Sequence, residues 1–549
     1  MKKWILFVFF GVTFLVSYKC RVFFYKTVAQ AAECGDHFCD LSEDSGFCPI
    51  DCADKKESIV GFYAQSVRCP KVKLHRPISL FEARNTVMEI VAAKRRYRVL
   101  GRIHSANSSI CGDQDVILTT DLRQIDGVED FHGEQSVLFA AGVDFGQLGA
   151  YLHGYKKMLV GTPATGVQPI SIAGALATGA HGSNTRGPAN IAASVLELEI
   201  LGSDGEFRRY SKHNTKPEIW KALRNNYGLL GFVSRVRLRI KDEVPMLYRF
   251  KRGSIEDLLA EGGYDKFVAD CDYSFLNWFP FRGFVFQQCV SEASPTSEVD
   301  VNATMDYFSS QASPRYEKFF KRFLDAGSHD SAFECAAEFV HSTKVSYYQA
   351  VRTIKDGKIS FPNEAFGLPY LLLNQEIKNS QIALGQIDFE FSIPKRYLRE
   401  ILQTMKKEIF EQQGRCTPLF GVIMRADEVS DNSLFDGASL RAGVALGEKM
   451  IHFEFPVYSP SYTMQDPVKY AAYLAPFYKF IYGIIAKYPM MRLHLGKNSD
   501  ELITSAVYRQ LLANELAILQ QAVDSFDPTG LHASSYFSRL GIHWPKQGM

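Results

Sequence analysis

The sequence lacks an excess of charge of either sign. Its 549 residues carry 62 Lys and Arg against 60 Asp and Glu, a formal net charge of +2. Nucleic-acid binding needs clustered positive charge, so we expect no nucleic-acid partner. Internal repeats and low-complexity segments are also missing. With 46% hydrophobic and 13% aromatic residues, the chain can fill large cores, and we expect two or three globular domains.

Two common phosphate-binding motifs are missing as well. The glycine-rich segment GTPATGVQPISIAGALATGAHGSNTRGP (161–188) has neither the Gly-Lys-Ser/Thr of a Walker loop nor a G-x-G-x-x-G turn. Its small side chains let the backbone approach a flat or charged ligand. The alternative is a helix of small residues packed on a sheet. Because Gly101 provides a second glycine turn after a predicted strand, a dinucleotide clasped between two loops is favoured.

The N-terminus carries a short hydrophobic run. Residues 4–18 are apolar and follow Lys2 and Lys3, which is typical of a signal peptide and short for a membrane span. We expect residues 1–32 to be a signal peptide cut near Ala31 or an uncleaved membrane anchor. Positive residues after the run would favour a cytoplasmic downstream side, which conflicts with the cysteine pattern.

Four of the eleven cysteines lie in one early cluster, CGDHFCDLSEDSGFCPIDC (34–52). Such a short polar segment needs cross-links or a metal to fold. The spacing favours two disulfides over zinc, and the interleaved carboxylates would suit calcium better than zinc. We therefore expect a Cys-rich module at 33–57 in a secreted, periplasmic or membrane-anchored protein that faces an oxidising compartment. The other seven cysteines are expected to be buried free thiols or isolated pairs.

From residue 59 onwards, short apolar runs alternate with helical patterns. Ser79 predicts a helix cap before apolar positions in 80–91. Strands are predicted at 97–100, 116–118 and 137–140, and a helix at 144–154. Further on, residues 387–413 predict a strand and then an amphipathic helix. The apolar side of that helix consists of Tyr397, Ile401, Met405 and Ile409.

Four segments together resemble a known flavin domain. They are GRIHSAN (101–107), AAGVDFGQLGAYL (140–152), ISIAGALATGAHGS (170–183) and GLLGFVSRVRLRI (228–240). In order and spacing they resemble the vanillyl-alcohol oxidase superfamily, and within it the sugar-lactone and alditol oxidase group. MRLHLGK (491–497) and FDPTGLHASSYFSRLG (526–541) are similar to C-terminal segments of that group. The resemblance spans about residues 58–549.

The resemblance implies an α+β fold with a two-part FAD-binding domain. Residues 58–242 and a returning C-terminal segment, 495–549, would form that domain. A cap domain at 243–494 would consist of an antiparallel sheet covered by helices. The cofactor implied is FAD, bound between loops of the first domain.

The resemblance also implies specific site residues. His104 would be covalently bonded to FAD, although Ile103 stands where the family motif has its second glycine. The other implied cofactor-binding residues are Gly101, Arg102, Ser105, Gly174, Thr178, His181, Gly182, Gly231 and Val233. The implied catalytic residues are Ser171, Arg425 and Lys497. No metal site is predicted.

One position departs from the family pattern. The group has a Glu-x-Arg pair on a strand, where alternate residues share one face. Here GVIMRAD (421–427) keeps Arg425 but has Ile423 in place of the glutamate. We expect either a less polar substrate or a carboxylate from a neighbouring strand, for which Glu390 and Glu454 are candidates.

The resemblance implies an enzyme that oxidises an alcohol carbon of a sugar lactone or polyol by hydride transfer to flavin N5. Oxygen, a quinone or a cytochrome would then take the electrons. Two alternatives stay open: the same fold acting on an amine or aromatic alcohol, as in cytokinin dehydrogenases, or a non-catalytic flavin-bound surface protein. A glycan on the sequon at Asn107 would contradict the placement of GRIHSAN beside the cofactor.

Overall fold

The computed structural model describes most of the chain after residue 66. The described residues are 67, 69–160, 170–305, 335–336, 338–340, 342–343, 351–355, 357–372, 386–411, 416, 421–458 and 467–545. The predicted signal peptide or anchor at 1–32 and the Cys-rich module at 33–57 lie outside them. Within the described part, no helix has both the length and the apolar character needed to cross a membrane.

The first sheet is small and parallel. Its strands are β1 (Lys73–His75), β2 (Tyr97–Leu100) and β3 (Asp115–Leu118), in the order β1-β3-β2. Helix α1 (Leu80–Ala92) begins after Ser79, whose hydroxyl accepts a hydrogen bond from the backbone N–H of Glu82. The predicted cap and helix are thus confirmed, and Gly101 directly follows β2 as expected.

The second sheet is antiparallel. It contains β4 (Ile125–Phe131), β5 (Glu134–Ala140), β7 (Val195–Leu201), β8 (Phe207–Ser211) and β9 (Phe232–Asp242), and β6 (Lys157–Leu159) pairs with β9. Three helices accompany it, α2 (Phe145–Gly154), α3 (Ile172–Ala177) and α4 (Pro217–Leu223). Asp144 caps α2 through a capping box with Gln147, so the predicted helix at 144–154 is confirmed.

A large eight-stranded antiparallel sheet follows. The strands of this part are β10 (Met246–Ser254), β11 (Tyr273–Phe279), β12 (Phe284–Glu292), β13 (Thr304–Met305), β14 (Val351–Lys355), β15 (Lys358–Ser360), β16 (Glu364–Gly367), β17 (Gln386–Pro394), β18 (Val422–Glu428), β19 (Lys449–Tyr458) and β20 (Arg492–Leu493). The order in the large sheet is β16-β10-β12-β11-β18-β19-β17-β20, and β13, β14 and β15 form a separate small sheet.

Helices cover one face of the large sheet. They are α5 (Ile255–Leu259), α6 (Gly263–Val268), α8 (Leu398–Met405) and α9 (Pro467–Lys487); a π-helical segment, Lys406–Glu411, continues α8. The short helix α7 (Pro369–Leu372) lies elsewhere, because its Leu372 is buried in a separate cluster with Tyr248 of β10 and Phe286 of β12. Phe389 and Phe391 of β17 belong to the same buried cluster as Phe477 of α9. Alternation then turns Asp388 and Glu390 to the opposite face. At β17, one face of the sheet is therefore apolar and covered by α9, and the other carries polar side chains.

The C-terminal segment returns to the first two sheets. It contains α10 (Asp500–Ile503), α11 (Ala506–Leu511), α12 (Ala513–Phe526) and α13 (Ser535–Leu540). The Tyr97 N–H donates to Leu531 O at 2.9 Å, and the Ala106 N–H donates to Gly496 O at 2.8 Å. This arrangement, with the sheets above, confirms the predicted α+β fold.

Three disulfides join six of the scattered cysteines: Cys69–Cys111, Cys271–Cys289 and Cys335–Cys416. For these six the isolated-pair alternative is correct, and the free-thiol alternative is wrong. Sequence alone could not choose between them because partners lie up to 81 residues apart.

Candidate active site

A long cavity lies between the loops of the first two sheets and the polar face of the large sheet. Its volume is about 1850 Å³, including the open mouth. The lining runs without a break from the glycine turn after β2 to the charged residues of the large sheet, so one cavity connects these two parts of the site. Of the predicted site residues, those lining it are Gly101, Arg102, His104, Ser105, Ser171, Gly174, Thr178, Gly231, Val233, Arg425 and Lys497.

Glycines let two loops meet at one end of the cavity. A Cβ on Gly101 would lie 1.9 Å from Ser171 Oγ, and one on Gly174 would lie 2.8 Å from the same atom. Because neither glycine carries a side chain, the turn after β2 and the start of α3 can approach each other closely around the Ser171 hydroxyl. Ser171 Oγ is buried and has no hydrogen-bond partner among the described residues. A bare backbone cradle with a free hydroxyl fits a cofactor that brings its own hydrogen-bonding groups, as FAD does.

Ile103 has the backbone conformation of a glycine. Its φ is +57°, in the left-handed region that a β-branched residue rarely adopts. Such a conformation stores about 1–3 kcal/mol of strain. The Ile103 side chain is buried with Leu100 and Ile110, and this packing offsets the strain. The turn before His104 thus keeps a left-handed residue although its glycine is missing.

Glycines with positive φ also shape the far end of the cavity. Gly228 has φ +68° and Gly231 φ +103°. Arg98 holds the loop before Gly228, because its guanidinium donates to Tyr227 O at 2.7 Å and to Ser109 O at 2.9 Å. This buried arginine is a positioning residue that sequence reasoning missed, since it lies inside a predicted strand.

Asn107 connects the turn at residues 101–107 to the C-terminal segment. Its side-chain nitrogen donates to Leu495 O at 2.5 Å and to Asn498 O at 2.8 Å. The side chain is buried, so the sequon at Asn107 offers no room for a glycan. The buried Asn107 is therefore compatible with a position of GRIHSAN (101–107) beside a cofactor.

Two predicted cofactor-binding residues lie outside the cavity lining. His181 is buried behind it and pairs with Glu390, and its ring stacks on His452 at 3.5 Å with an interplanar angle of 18°. Gly182 donates its N–H to Ala189 O at 2.9 Å. Their positions favour support of the site from behind over direct contact with a ligand in the cavity.

Four charged residues meet at the sheet end of the cavity. Lys497 Nζ lies 2.7 Å from Glu390 Oε2 and 2.5 Å from Glu454 Oε1. Arg425 forms ion pairs with the same two carboxylates, and it donates to His181 O at 3.2 Å. Both cations are thus shared by both carboxylates.

Strand register assembles this group. Glu454 of β19 lies directly opposite Ile423 of β18 and opposite Glu390 of β17. Arg425, two residues after Ile423, shares its face. A carboxylate on the adjacent strand therefore lies beside the position where the family pattern has its glutamate. The sequence signal was an isolated charge in the apolar strand IHFEFPVY (451–458), but one sequence alone did not give its partner strand.

The charges stabilise one another's ionised forms. Burial by itself would raise the pKa of Glu390, but Lys497, His181 and Arg425 hold it well below its usual range. Burial opposes ionisation of Glu454 too, and Lys497 and Arg425 lower its pKa nonetheless. In turn, the carboxylates raise the pKa values of Arg425 and Lys497 despite burial. At neutral pH all four groups are charged.

Three neutral histidines surround the four charges. Burial is the main cause that lowers the pKa of His181 to about 4, of His452 to about 3 and of His494 to about 4. His452 Nε2 lies 2.9 Å from Asp427 Oδ2, and its Nδ1 lies 2.5 Å from Ser392 Oγ. A neutral ring with its proton on Nε2 satisfies both contacts.

In the described part of the chain, His181, Glu390 and His452 have ligand atoms within 4.8 Å of one another. Stacked imidazoles direct their in-plane lone pairs side by side and not towards one point. Both nitrogens of His452 also have partners already. The trio therefore has the geometry of a hydrogen-bonded support and not of a metal chelate.

Comparison with known proteins agrees with this geometry. Residues 75–211 match the FAD binding domain family. Over the described fold, the chain is similar to a solvent-stable cholesterol oxidase (15% identity, TM-score 0.72) and to cholesterol oxidase from Brevibacterium sterolicum (14%, TM-score 0.67). These likenesses cover 88% of this chain and 97% and 96% of those chains. Residues 75–211 thus match an FAD-binding domain, and the chain has the fold of these cholesterol oxidases, in agreement with the predicted α+β fold.

The chain is also similar in sequence to curated proteins. The chain is 27% identical over 214 residues to L-gulono-1,4-lactone dehydrogenase of Mycobacterium tuberculosis, which covers 39% of this chain and 47% of that protein. It is 24% identical over 356 residues to D-arabinono-1,4-lactone oxidase of Candida albicans, covering 61% and 59%. The chain thus matches about half of the length of these relatives. Their names are those of a lactone dehydrogenase and a lactone oxidase.

Proposed function

We propose that the protein is an FAD-dependent oxidoreductase that oxidises an alcohol carbon of a neutral sugar lactone or polyol. The observation that carries the proposal is one cavity that joins the glycine turns of an FAD-binding domain to Arg425, Lys497 and Glu454. FAD, when bound, supplies an acceptor for a hydride from the substrate carbon. The lactone names of the curated relatives support the substrate class.

His104 is the proposed attachment point of FAD. The imidazole lines the cavity just after the left-handed Ile103, next to the cradle of Gly101 and Ser171. An imidazole placed there is a suitable nucleophile for a covalent bond to the cofactor.

The charge balance favours a neutral substrate. Arg425 and Lys497 are both neutralised by Glu390 and Glu454, and the carboxylate of Asp388 lines the cavity as well. A substrate carboxylate would meet these anions with no free cation in the group to pair with, which disfavours sugar acids.

Amide side chains support recognition of hydroxyl groups. Asn277 of β11 and Gln288 of β12 line the cavity. Amides donate and accept hydrogen bonds, which matches the needs of several hydroxyls on one substrate.

A second candidate substrate is an apolar secondary alcohol. Phe275, Ile423 and Pro456 also line the cavity on the face of the large sheet. They would favour a hydrocarbon skeleton over a polyol if they hold most of the substrate.

Anaerobic titration of the FAD-loaded full-length protein tests the proposal. We expect L-gulono-1,4-lactone, D-arabinono-1,4-lactone or xylitol to bleach the flavin absorbance, and the L-gulonate anion to be at least tenfold less effective. Bleaching by cyclohexanol alone would favour the apolar alcohol. No bleaching by any of these would reject both candidates.

Covalent attachment has its own measurement. Acid precipitation should leave a yellow pellet from the wild type and a colourless one from His104→Ala. A colourless wild-type pellet from yellow protein would reject the attachment while leaving FAD binding intact.

The electron acceptor has a separate measurement. Oxygen uptake during turnover without an added quinone would identify oxygen as the electron acceptor.

We further propose that the protein works in an oxidising compartment, either secreted, periplasmic or tethered to a membrane. Three disulfides among the described cysteines support this location, because such bonds persist in oxidising surroundings. Alkylation of native protein from its own cells followed by mass spectrometry should find these six cysteines unmodified. Complete alkylation without reductant would contradict the proposed location.

A further inference from the structure

We propose that Glu454 is the catalytic base of the site, the group that takes the proton of the substrate hydroxyl. The inference rests on the proposed function and assigns a residue to its proton transfer. Position 423 is isoleucine and cannot take a proton. The base would therefore come from the adjacent strand, β19.

Register places Glu454 where a side chain at position 423 would reach. Ile423 and Glu454 are directly opposed residues of β18 and β19, and both line the cavity. Opposed residues of antiparallel strands have Cβ atoms about 4.5–5.5 Å apart. Moving a carboxylate between these two positions therefore shifts it by about one side-chain width, with Arg425 still on the same face.

Glu390 carries an equal charge but does not face the cavity. Its side chain is 1% exposed, against 13% for Glu454. One oxygen of Glu390 is occupied by His181, and the other by Lys497 and Arg425. Glu390 therefore fixes the two cations from behind, and Glu454 is the carboxylate that a substrate can touch.

The two cations keep Glu454 ionised and oriented. Lys497 Nζ lies 2.5 Å from Oε1, and Arg425 contacts Oε2. An ionised carboxylate is an acceptor only, so a hydroxyl that approaches it must donate. The hydroxyl hydrogen is thus aimed at the base before reaction.

The chemistry balances with FAD as the oxidant. The substrate hydrogen would leave carbon as hydride with both electrons of the C–H bond, for which bound FAD would be the acceptor, and the O–H electron pair would become the second bond of the new carbonyl. The O–H proton forms a bond to an oxygen of Glu454. Because loss of hydride makes the oxygen-bound proton far more acidic than that of an alcohol, a carboxylate of low pKa is a sufficient base.

Three variants of the FAD-loaded full-length protein test the inference. Glu454→Gln keeps the shape and removes the base. Glu390→Gln is the matched control, because it removes an equal charge from the same cations without touching the cavity. The double variant Ile423→Glu/Glu454→Ala moves the carboxylate to the opposed position and restores the charge count.

General-base catalysis contributes about 10²–10⁴-fold. We therefore expect Glu454→Gln to lower kcat at least 100-fold with KM changed less than threefold, and to abolish the acidic limb of the kcat–pH profile. Glu390→Gln should keep that limb. The double variant should regain at least tenfold over Glu454→Gln, and FAD content and the unfolding midpoint report the folding of each variant.

The outcomes separate this inference from the proposed function. If lactones, polyols and cyclohexanol all fail to reduce wild-type protein, the proposed function and the base fall together. If wild type is reduced and Glu454→Gln keeps its kcat and its acidic limb, only the assignment of Glu454 is overturned. A double variant no better than Glu454→Gln, with full FAD content, also overturns the assignment, because a relocated carboxylate should work from position 423.

Discussion

Replacing His452 by glutamine should make the free energy of unfolding less dependent on pH, by an amount that can be calculated. The ring is 1% exposed, and burial lowers its pKa to about 3. In the unfolded chain a histidine has a pKa of about 6.5. Below that pH the unfolded state binds a proton that the folded state does not, so the free energy of unfolding must fall as the pH falls.

The magnitude follows from these two pKa values. At pH 7.5 the proton binding of the unfolded histidine contributes about 0.1 kcal/mol, and at pH 5.5 about 1.4 kcal/mol. The folded state contributes almost nothing at either pH, provided that its pKa lies well below 5.5. Between the two pH values, the wild type should therefore lose about 1.3 kcal/mol more of its unfolding free energy than His452→Gln.

Urea unfolding of both proteins at pH 7.5, 6.5 and 5.5 measures this difference. Other buried groups, such as Asp427 with a pKa raised to about 6 by burial, titrate in both proteins and largely cancel. Glutamine keeps a donor for Asp427. His543→Gln is the matched control, because His543 is exposed and contacts Gln520 only through its backbone.

A difference below about 0.5 kcal/mol between wild type and His452→Gln would refute a neutral buried ring. So would an equal change in the His543→Gln control. Proton uptake on unfolding at pH 5.5 gives an independent check, since the wild type should take up about 0.9 proton more than His452→Gln.

Two further predictions concern the turn beside the cofactor site. Gly101→Ala should reduce the FAD retained after desalting at least tenfold, because its Cβ would lie 1.9 Å from Ser171 Oγ. The ratio of flavin to protein absorbance measures the retained FAD. The control, Gly154→Ala, has open space around the new Cβ and should retain FAD fully. Ile103→Gly should be more stable to urea than Ile103→Ala by about 1 kcal/mol, because glycine adopts positive φ without the penalty paid by alanine. Equal stability of these two variants would mean that position 103 is not left-handed in solution.

Local signals in the sequence predicted individual elements well. The Ser79 cap and the capping box at Asp144 are encoded within a few residues, so the helices after them were predictable. The glycines of GRIHSAN and ISIAGALATGAHGS predicted close backbone approach, which the contact between Gly101 and Ser171 shows. Such features depend on short-range sterics and hydrogen bonds that a single sequence contains.

The layers around the cavity were less predictable. The family segment that contains His181 suggested cofactor contact, and the structure places this residue behind the lining against Glu390. The contribution of Arg98 was missed because its partners, Tyr227 and Ser109, are set by loop packing. Disulfide partners were open for the same reason.

The sequence by itself gives local structure and a resemblance: glycine patterns and helix caps predict individual turns and helices, and the resemblance of four segments to a flavin domain implies an FAD-binding α+β fold with Arg425 and Lys497 at its site. Only the tertiary structure decided which carboxylate serves them. Pairing of β18 with β19 places Glu454 opposite Ile423, and pairing of β19 with β17 places Glu390 behind it. Strand alternation fixes the face of each residue, but the identity and register of the neighbouring strand arise from contacts between residues far apart in the chain.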